Sequence, residues 1–134
     1  MQIYDSITDG LSFFYAEVKR LKALLAVLHE DDQAPVFFLI DEIFKGTNSR
    51  ERLIGGRAYI HHLSEQSGVG MIATHDLELG QLADQLPSLT NYHFRDDVTD
   101  GKMIFDYKLH LGLCTTTNAL KIMRMEGLPI EATP

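Results

Sequence analysis

The stretch VFFLIDEIFKGTNSRER, residues 36–52, constrains the fold more than any other part of the chain. It begins with a continuous apolar run that ends directly in two carboxylates, Asp41 and Glu42. Such a run is typical of a parallel strand that is covered on both faces. Paired acids at the end of a buried strand usually hold a metal ion or face a water molecule. The sequence therefore predicts a chemical site at the end of this strand.

Hydrophobic periodicity predicts an alternation of helices and strands around it. A first helix is predicted over residues 10–30, with one buried stripe formed by Leu11, Phe14, Val18, Leu21, Leu25 and Leu28. The other predicted helices span residues 49–66, 76–85 with Asp76 as N-cap, and 115–126, where three threonines precede and Gly127 and Pro129 follow. The predicted strands span residues 36–40, 69–73, 91–98 and 102–109, the last two joined at Asp100-Gly101.

This order predicts an α/β fold with a parallel sheet, in which chemistry gathers beyond the carboxyl ends of the strands. The first strand ends in Asp41-Glu42, and the second ends in Thr74-His75. If the two strands are neighbours, these pairs meet at one crevice. Asp41 can then hold Mg²⁺, Glu42 can face an attacking water, and His75 can donate a hydrogen bond to a phosphate oxygen. Together they suit phosphoryl transfer to water.

The segments FFLIDEIFKGTNSRER, MIATHDLELGQLA and GLSFFYAEVKRL resemble the C-terminal ATPase domain of the MutS family of DNA mismatch repair proteins. The tail DYKLHLGLCTTTNALKIMRMEGLP resembles the end of that domain in a MutS-like branch. The resemblance covers nearly the whole chain, in the right order. It implies an ABC-type P-loop NTPase domain, with a mostly parallel sheet flanked by helices and a C-terminal β-hairpin and helix. It also implies a dimer that uses ATP to switch the grip of the parent protein on DNA.

The resemblance assigns roles to individual positions. Asp41 matches the Walker B aspartate that supports Mg²⁺, and Glu42 matches the carboxylate that orients or activates the attacking water. His75 matches the switch histidine near the γ-phosphate. Ser12 matches the signature-loop serine that reaches ATP bound to the other protomer, so it would act in trans.

The turn of Gly46, Thr47 and Asn48 matches the segment that meets the partner subunit and contributes to the nucleotide site. Structural alternatives stay open for several positions. Thr47 and Asn48 are residue types that turns favour, and Ser12 could be the N-cap of the first helix. His61-His62 could suggest a metal, but adjacent helical residues diverge, so a solvated face is favoured.

The sequence lacks one defining segment of the family's ATPase domain. The family's ATPase domain begins with a phosphate-binding loop of the form G-x-x-x-x-G-K-[ST], the Walker A segment, which is absent here. We therefore interpret residues 1–134 as a single partial domain whose ATPase activity requires an upstream loop and a second protomer. The alternatives are a non-catalytic dimerisation module and another ABC-type ATPase. A transporter-like signature would read LSGGQ, whereas this chain has GLSFF, which favours MutS.

Composition limits the partners. A formal net charge of -7 argues against this acidic piece gripping DNA itself, so DNA is expected to bind through the parent protein. A single cysteine, Cys114, excludes an intramolecular disulfide framework and fits a reducing compartment. No apolar run approaches the roughly 20 residues of a membrane span. The sequence therefore predicts a cytoplasmic protein without membrane contact.

Overall fold

A computed structural model of the chain describes residues 3–30, 35–114 and 118–130. The chain divides into two compact units, Met1–Leu89 and Thr90–Pro134, which are described separately below. Helices and strands alternate in the first unit, as the predicted α/β class requires. The interpretation of residues 1–134 as one partial domain stays a prediction, because compact units can belong to one domain or to two.

The first helix, α1 (Ile3–Leu28), begins seven residues before the predicted start at Gly10. Glycine lowers helix stability by only about 1 kcal/mol, which the turns on either side outweigh. The predicted buried stripe is confirmed at Leu21 and Leu28, but Leu11 is exposed. Because Ser12 lies inside α1, it cannot be an N-cap, and that alternative is wrong.

Two parallel strands, β1 (Phe37–Asp41) and β2 (Val69–Ala73), form the sheet of the first unit. Burial alternates along β1: Phe38 and Ile40 pack on the core, whereas Phe37 and Leu39 are exposed. The prediction of a strand covered on both faces is therefore wrong for the described part of the chain. A continuous apolar run indicates what each face could bury, and it does not reveal whether a neighbouring element is there to cover it.

Helix α2 (Ser49–Ser64) connects the two strands, and helix α3 (Leu77–Gly80) continues into a 3₁₀ turn, Gln81–Asp84. The helix predicted over residues 76–85 is thus α-helical only in its first half. The Gly55-Gly56 pair leaves α2 unbroken, and Leu79 packs where a side chain on Gly56 would stand. The core joins all these elements and contains Leu21, Leu28, Ile43, Tyr59, Ile60, Leu63, Leu79 and Leu82.

The second unit contains an antiparallel hairpin of β3 (Tyr92–Thr99) and β4 (Lys102–Leu111), followed by helix α4 (Asn118–Met125). Asp100 and Gly101 have φ angles of 52° and 74°, the left-handed pair that a tight hairpin turn requires. The predicted Asp-Gly hairpin is therefore confirmed. The three threonines predicted to open α4 lie outside the described residues. The helix ends shortly before Gly127, whose N–H donates to Arg124 O at 3.0 Å.

Candidate functional site

The carboxyl ends of β1 and β2 lie side by side, as the sequence predicts. Asp41 is in register with Ala73, and the Glu42 N–H donates to Ala73 O at 2.7 Å. The two strand-end pairs, Asp41-Glu42 and Thr74-His75, therefore follow neighbouring strands at one edge of the sheet. This parallel pairing is the structural basis of the candidate site.

Glu42 and His75 contact each other at that edge. His75 Nε2 lies 3.0 Å from Glu42 Oε1, and the His75 side chain is otherwise open to solvent. The two side chains line a cleft of about 150 Å³ whose wall is formed by Glu42, Ile43, Lys45, Arg52, Thr74, His75 and Asp76. A carboxylate beside an imidazole in an open cleft can hold a water molecule and an anionic group next to each other.

The backbone after β1 adopts a conformation that non-glycine residues rarely occupy. Glu42 has φ 53° and Phe44 has φ 57°, both in the left-handed region. Such residues cost on the order of 1–3 kcal/mol each and persist only where the surrounding structure holds them. Between them Ile43 is fully buried and anchors the turn in the core. The consequence is that Glu42 is presented by a strained turn and not by regular strand geometry.

Asp41 is the last residue of β1 and is exposed. Its position in the alternating pattern places it on the same side of the strand as Phe37 and Leu39. Mg²⁺ is usually bound in proteins through one or two carboxylates together with waters and substrate phosphates. An accessible carboxylate at a strand end fits that donor set. Among the described residues no three His, Cys, Asp or Glu side chains converge on a common point, so a pre-built protein cage for a metal is not seen there.

Arg52 and Asp76 form a bidentate ion pair beside the cleft. Arg52 Nε lies 2.5 Å from Asp76 Oδ2, and Arg52 Nη2 lies 3.0 Å from Asp76 Oδ1. The Arg52 guanidinium lowers the pKa of the Asp76 carboxyl, and the Asp76 carboxylate raises the pKa of Arg52. The pair joins the first turn of α2 to the segment that carries His75, and therefore limits where His75 can stand.

The segment around His75 also has a local hydrogen bond. The Asp76 N–H donates to Thr74 Oγ1 at 3.0 Å, and the Leu79 N–H donates to Asp76 O at 3.0 Å. Asp76 occupies the N-cap position of α3, as predicted, but its side chain makes no capping hydrogen bond. Its carboxylate is engaged by Arg52 instead, so Asp76 positions this turn more than it caps the helix.

Thr47 and Asn48 serve the start of α2. Asn48 is the N-cap, and its Oδ1 accepts from the Glu51 N–H at 2.9 Å. The Thr47 hydroxyl donates to Glu51 Oε2 at 2.7 Å. These contacts show the structural alternative for both residues. The role at a nucleotide shared with a partner subunit stays a prediction for them.

Ser12 lies on α1 and is exposed. Its predicted function, contact with ATP held by another protomer, concerns a second chain and stays a prediction. The adjacent histidines of α2 diverge as expected: His61 Nδ1 lies 3.4 Å from Glu65 Oε1, whereas His62 Nε2 lies 3.1 Å from His29 Nε2.

Sequence reasoning missed Arg52, Lys45 and Glu17. Arg52 and Lys45 both lie in residues 36–52, but nothing in their spacing indicates a partner. Lys45 Nζ lies 5.3 Å from the centre of the Phe13 ring. Glu17 lies between Phe14 and Leu21 on α1, and one acid within an apolar stripe was a usable signal. It accepts the Phe44 N–H at 2.9 Å.

A second, larger cleft of about 350 Å³ lies elsewhere in this unit and is lined by Arg57, Glu78, Gln81, Leu82 and Gln85. Its charged residues, Arg57 and Glu78, form an exposed pair at 3.5 Å. Solvent-exposed pairs of this kind are worth little. The smaller cleft is therefore the better candidate despite its size, because it contains the strained turn and the carboxylate–imidazole contact. No helix in the described ranges is long and apolar enough to span a membrane.

Comparison with known proteins identifies the family. MutS domain V matches residues 1–133. The DNA mismatch repair protein MutS 2 of Haloarcula marismortui is 30% identical over 126 residues, which are 93% of this chain and 13% of that protein. MutS 2 of Halobacterium salinarum is 29% identical over 126 residues, covering 93% of this chain and 14% of that protein.

The DNA mismatch repair protein MutS of Staphylococcus haemolyticus is 29% identical over 128 residues, covering 95% of this chain and 14% of that protein. The chain thus spans 13–14% of the length of these curated relatives. The resemblance inferred from the motifs is confirmed at the level of the family. The chain belongs to the MutS family and matches its domain V.

Proposed function

We propose that this chain supplies the hydrolytic half of an ATP site in a MutS-type DNA mismatch repair protein, with the fold of an ABC-type P-loop NTPase. The observation that carries the proposal is the pairing of Glu42 with His75, 3.0 Å apart beyond adjacent parallel strands. In open α/β sheets this is where ligands bind. Membership of the MutS family agrees with the assignment.

These residues act mainly by positioning the attacking water and the terminal phosphate. Phosphoryl transfer to water requires little covalent chemistry from the protein, so catalysis depends on orientation and charge stabilisation. The Glu42 carboxylate accepts a hydrogen bond from the attacking water and fixes its direction. The His75 imidazole, which is in contact with Glu42, donates to an oxygen of the terminal phosphate. Lys45 adds positive charge to the same cleft wall, whereas the charge of Arg52 is balanced by Asp76.

Mg²⁺ would neutralise charge on the phosphate oxygens when it is bound, and Asp41 is the residue that would hold it. Asp41 suits this role because it is exposed at the strand end and is adjacent in sequence to Glu42. Asp41 ends β1 on its exposed face, whereas Glu42 is presented by the strained turn that follows the strand. The two acids can thus serve different groups, one the metal and its waters, the other the attacking water.

The rest of the site comes from elsewhere. A phosphate-binding loop belongs upstream, and Ser12 of a second protomer reaches the nucleotide in trans. Thr47 and Asn48 contribute at the junction with that protomer. DNA binds through other parts of the parent protein, because this chain has a formal net charge of -7. ATP binding and hydrolysis then alter the grip of the parent on DNA, as expected for relatives named DNA mismatch repair proteins.

Mg²⁺-dependent ATP hydrolysis by the chain, extended upstream through the phosphate-binding loop, tests this proposal. We expect His75→Ala to lower kcat by about 10²-fold or more, because it removes a group that acts on the reacting phosphate. His61→Ala is the matched control, since His61 is an exposed histidine of α2 outside the cleft. If both variants keep the activity of the unsubstituted protein, the site assignment is wrong.

The composite site has a test of its own. Ser12→Ala and Glu42→Gln proteins should each be inactive, but a mixture should regain about a quarter of the activity of the unsubstituted dimer. Half of the mixed population pairs one variant with the other, and each such dimer has one intact site. If the mixture stays inactive while both variants dimerise, Ser12 does not act in trans. A protein that dimerises but never hydrolyses ATP would instead be an interaction module.

A further inference from the structure

Glu17 is a half-buried acidic residue on the face of α1 that carries Phe14 and Leu21, and the proposed mechanism does not use it directly. Its Oε2 accepts the backbone N–H of Phe44 at 2.9 Å. Its Oε1 is buried and has no hydrogen-bond partner among the described residues. A carboxylate oxygen withdrawn from solvent without a partner needs a reason, because burying a polar group without a hydrogen bond is unfavourable.

The Phe44 N–H, which Glu17 accepts, belongs to the strained turn after β1. Phe44 is in the left-handed region, two residues after Glu42, which is also in that region. Such a turn leaves N–H groups outside the hydrogen bonds of the sheet, and among the described residues the Phe44 N–H has its acceptor in Glu17, 27 positions away. Glu17 thus supplies a hydrogen bond that specifies the strained conformation.

Two further contacts attach the same turn to the same helix. A side chain on Gly46 would stand 2.8 Å from Phe14 Cβ and 3.2 Å from Phe14 Cα, so the backbone at Gly46 lies directly against α1. Lys45 Nζ lies 5.3 Å from the centre of the Phe13 ring. Phe14 and Glu17 are three residues apart and share one face of the helix. The part of α1 just after Ser12 therefore packs against the turn that carries Glu42.

We propose that Glu17 is a positioning residue for hydrolysis, which fixes the backbone of residues 42–46 and thereby the direction of the Glu42 carboxylate. It also links that carboxylate to α1, the helix that carries Ser12. Any tilt of α1 that follows from Ser12 engaging a partner's nucleotide is transmitted to the Phe44 N–H and so to Glu42. This inference rests on the proposed function for its catalytic consequence. The hydrogen bond from the Phe44 N–H to Glu17, called the clamp from here on, can be measured without ATP.

Amide hydrogen exchange at Phe44 measures the clamp directly. In the folded chain, Glu17→Ala should accelerate exchange of the Phe44 amide by at least about tenfold, because a hydrogen bond to a charged acceptor is lost. Glu17→Gln keeps an acceptor oxygen of the same reach and should stay within about threefold of the unsubstituted protein. Glu30→Ala, at an exposed glutamate just after α1, is the matched control. Unchanged exchange at Phe44 in Glu17→Ala would overturn the clamp.

Steady-state ATP hydrolysis by the extended dimer measures the consequence. Glu17→Ala should lower kcat by about 10–100-fold with little change in KM, since misplacing a catalytic group by about 1 Å has effects of this size. Glu17→Gln should restore most of the rate. Leu28→Ala serves as a destabilised control, because Leu28 is buried on the same helix but packs near Gly68, just before the start of β2.

The outcomes separate this inference from the proposed function. If Glu17→Ala retains full kcat while Glu42→Gln abolishes it, the positioning role fails and the ATP site stands. If Leu28→Ala lowers kcat as much as Glu17→Ala, the effect is general destabilisation and the positioning role also fails. If Glu42→Gln has full activity, the proposed function fails, whereas accelerated exchange at Phe44 in Glu17→Ala still supports the clamp as a structural device.

Discussion

The two turns that follow β1 and β2 differ in how they are held, although they face one cleft. The β1 turn, residues 42–47, contains two left-handed non-glycine residues and is clamped by Glu17 from α1. The β2 turn, residues 74–76, has no residue with positive φ and is clamped by the ion pair of Asp76 with Arg52 from α2. One turn is a strained backbone held by a hydrogen bond and core packing, and the other is a relaxed backbone held by charge.

This difference separates two ways of placing a side chain at the cleft. Glu42 depends on backbone geometry, so its position responds to anything that moves α1 or the core. His75 depends on a salt link at a partly exposed site, so its position responds to pH and salt. A substitution that weakens one turn leaves the other turn as an internal reference.

The largest effect is expected from removing the core anchor of the β1 turn. Ile43 is fully buried, so Ile43→Ala should lower the free energy of unfolding by about 2–5 kcal/mol. Leu39→Ala on the exposed face of β1 should change it by about 0.5 kcal/mol or less. Urea unfolding followed by circular dichroism measures both. Equal losses for the two substitutions would mean that the exposed face of β1 is in fact covered.

The next largest effect is expected from removing the N-cap of α2, Asn48, which follows the β1 turn. Asn48→Ala should lower the free energy of unfolding by about 1 kcal/mol, because the Glu51 N–H loses its acceptor. Asn48→Asp keeps an acceptor oxygen and should restore stability. Thermal unfolding of the three proteins provides the comparison. A neutral Asn48→Ala substitution would remove the case for a structural role of this residue.

Tyr59 packs beneath the β1 turn, with its ring 6.2 Å from that of Phe44, and its hydroxyl donates to Leu21 O at 2.7 Å. Burial raises its pKa from 10.0 to about 12. The folded state therefore favours the neutral phenol, and its stabilisation is complete below pH 10 and lost as pH rises through about 12.

Tyr59→Phe should lower the free energy of unfolding by about 1 kcal/mol near neutral pH, because one hydrogen bond is lost. It should also remove this residue's share of the alkaline loss of stability. Urea titrations at neutral and alkaline pH measure the two effects. The same alkaline slope in both proteins would show that Tyr59 does not titrate from a buried position.

The smallest stability effect is expected at the β2 turn, where the ion pair is partly exposed. The pKa of Asp76 lies below its ordinary value of 3.8 because of Arg52, so the pair stabilises the fold above that value. This stabilisation is lost as pH falls through the depressed pKa. Asp76→Asn should therefore lower stability at neutral pH and flatten its dependence on pH below about 4.

A double-mutant cycle checks the pairing. Arg52→Ala and Asp76→Asn together should cost no more than about the larger single loss, because both substitutions remove the same interaction. Strict additivity would contradict the ion pair in solution. Because exposed charges are screened, the coupling should shrink as salt is raised.

The position of Glu42 and His75 at one cleft could be predicted from local sequence, whereas Lys45 and Arg52 of the same cleft could not. An apolar run ending in Asp41-Glu42 and a second ending in Thr74-His75 indicate two strands, and the parallel pairing of such strands brings the ends together. The tight hairpin at Asp100-Gly101 was equally readable, because only a few residue types accept its backbone angles. Each of these features is determined by residues that are close together in the sequence.

The two clamps could not be predicted, because each joins residues far apart in sequence. Glu17 and Phe44 are 27 positions apart, and Arg52 and Asp76 are 24 apart. No periodicity links such pairs, and propensity does not predict the left-handed angles of Glu42 and Phe44. The early start of α1 was missed because Gly10 was read as a boundary, although one glycine is tolerated inside a long helix.

Glu42 is proposed to direct the attacking water in an ATP site completed by an upstream phosphate-binding loop. Mg²⁺-dependent ATP turnover and ATP binding by the extended chain, with and without Glu42→Gln, test this role more closely than any measurement of stability. We expect Glu42→Gln to lower kcat by about 10²–10⁴-fold while ATP still binds, because the substitution removes a base and leaves the shape of the side chain unchanged. Undiminished turnover in Glu42→Gln would show that Glu42 does not act on the water.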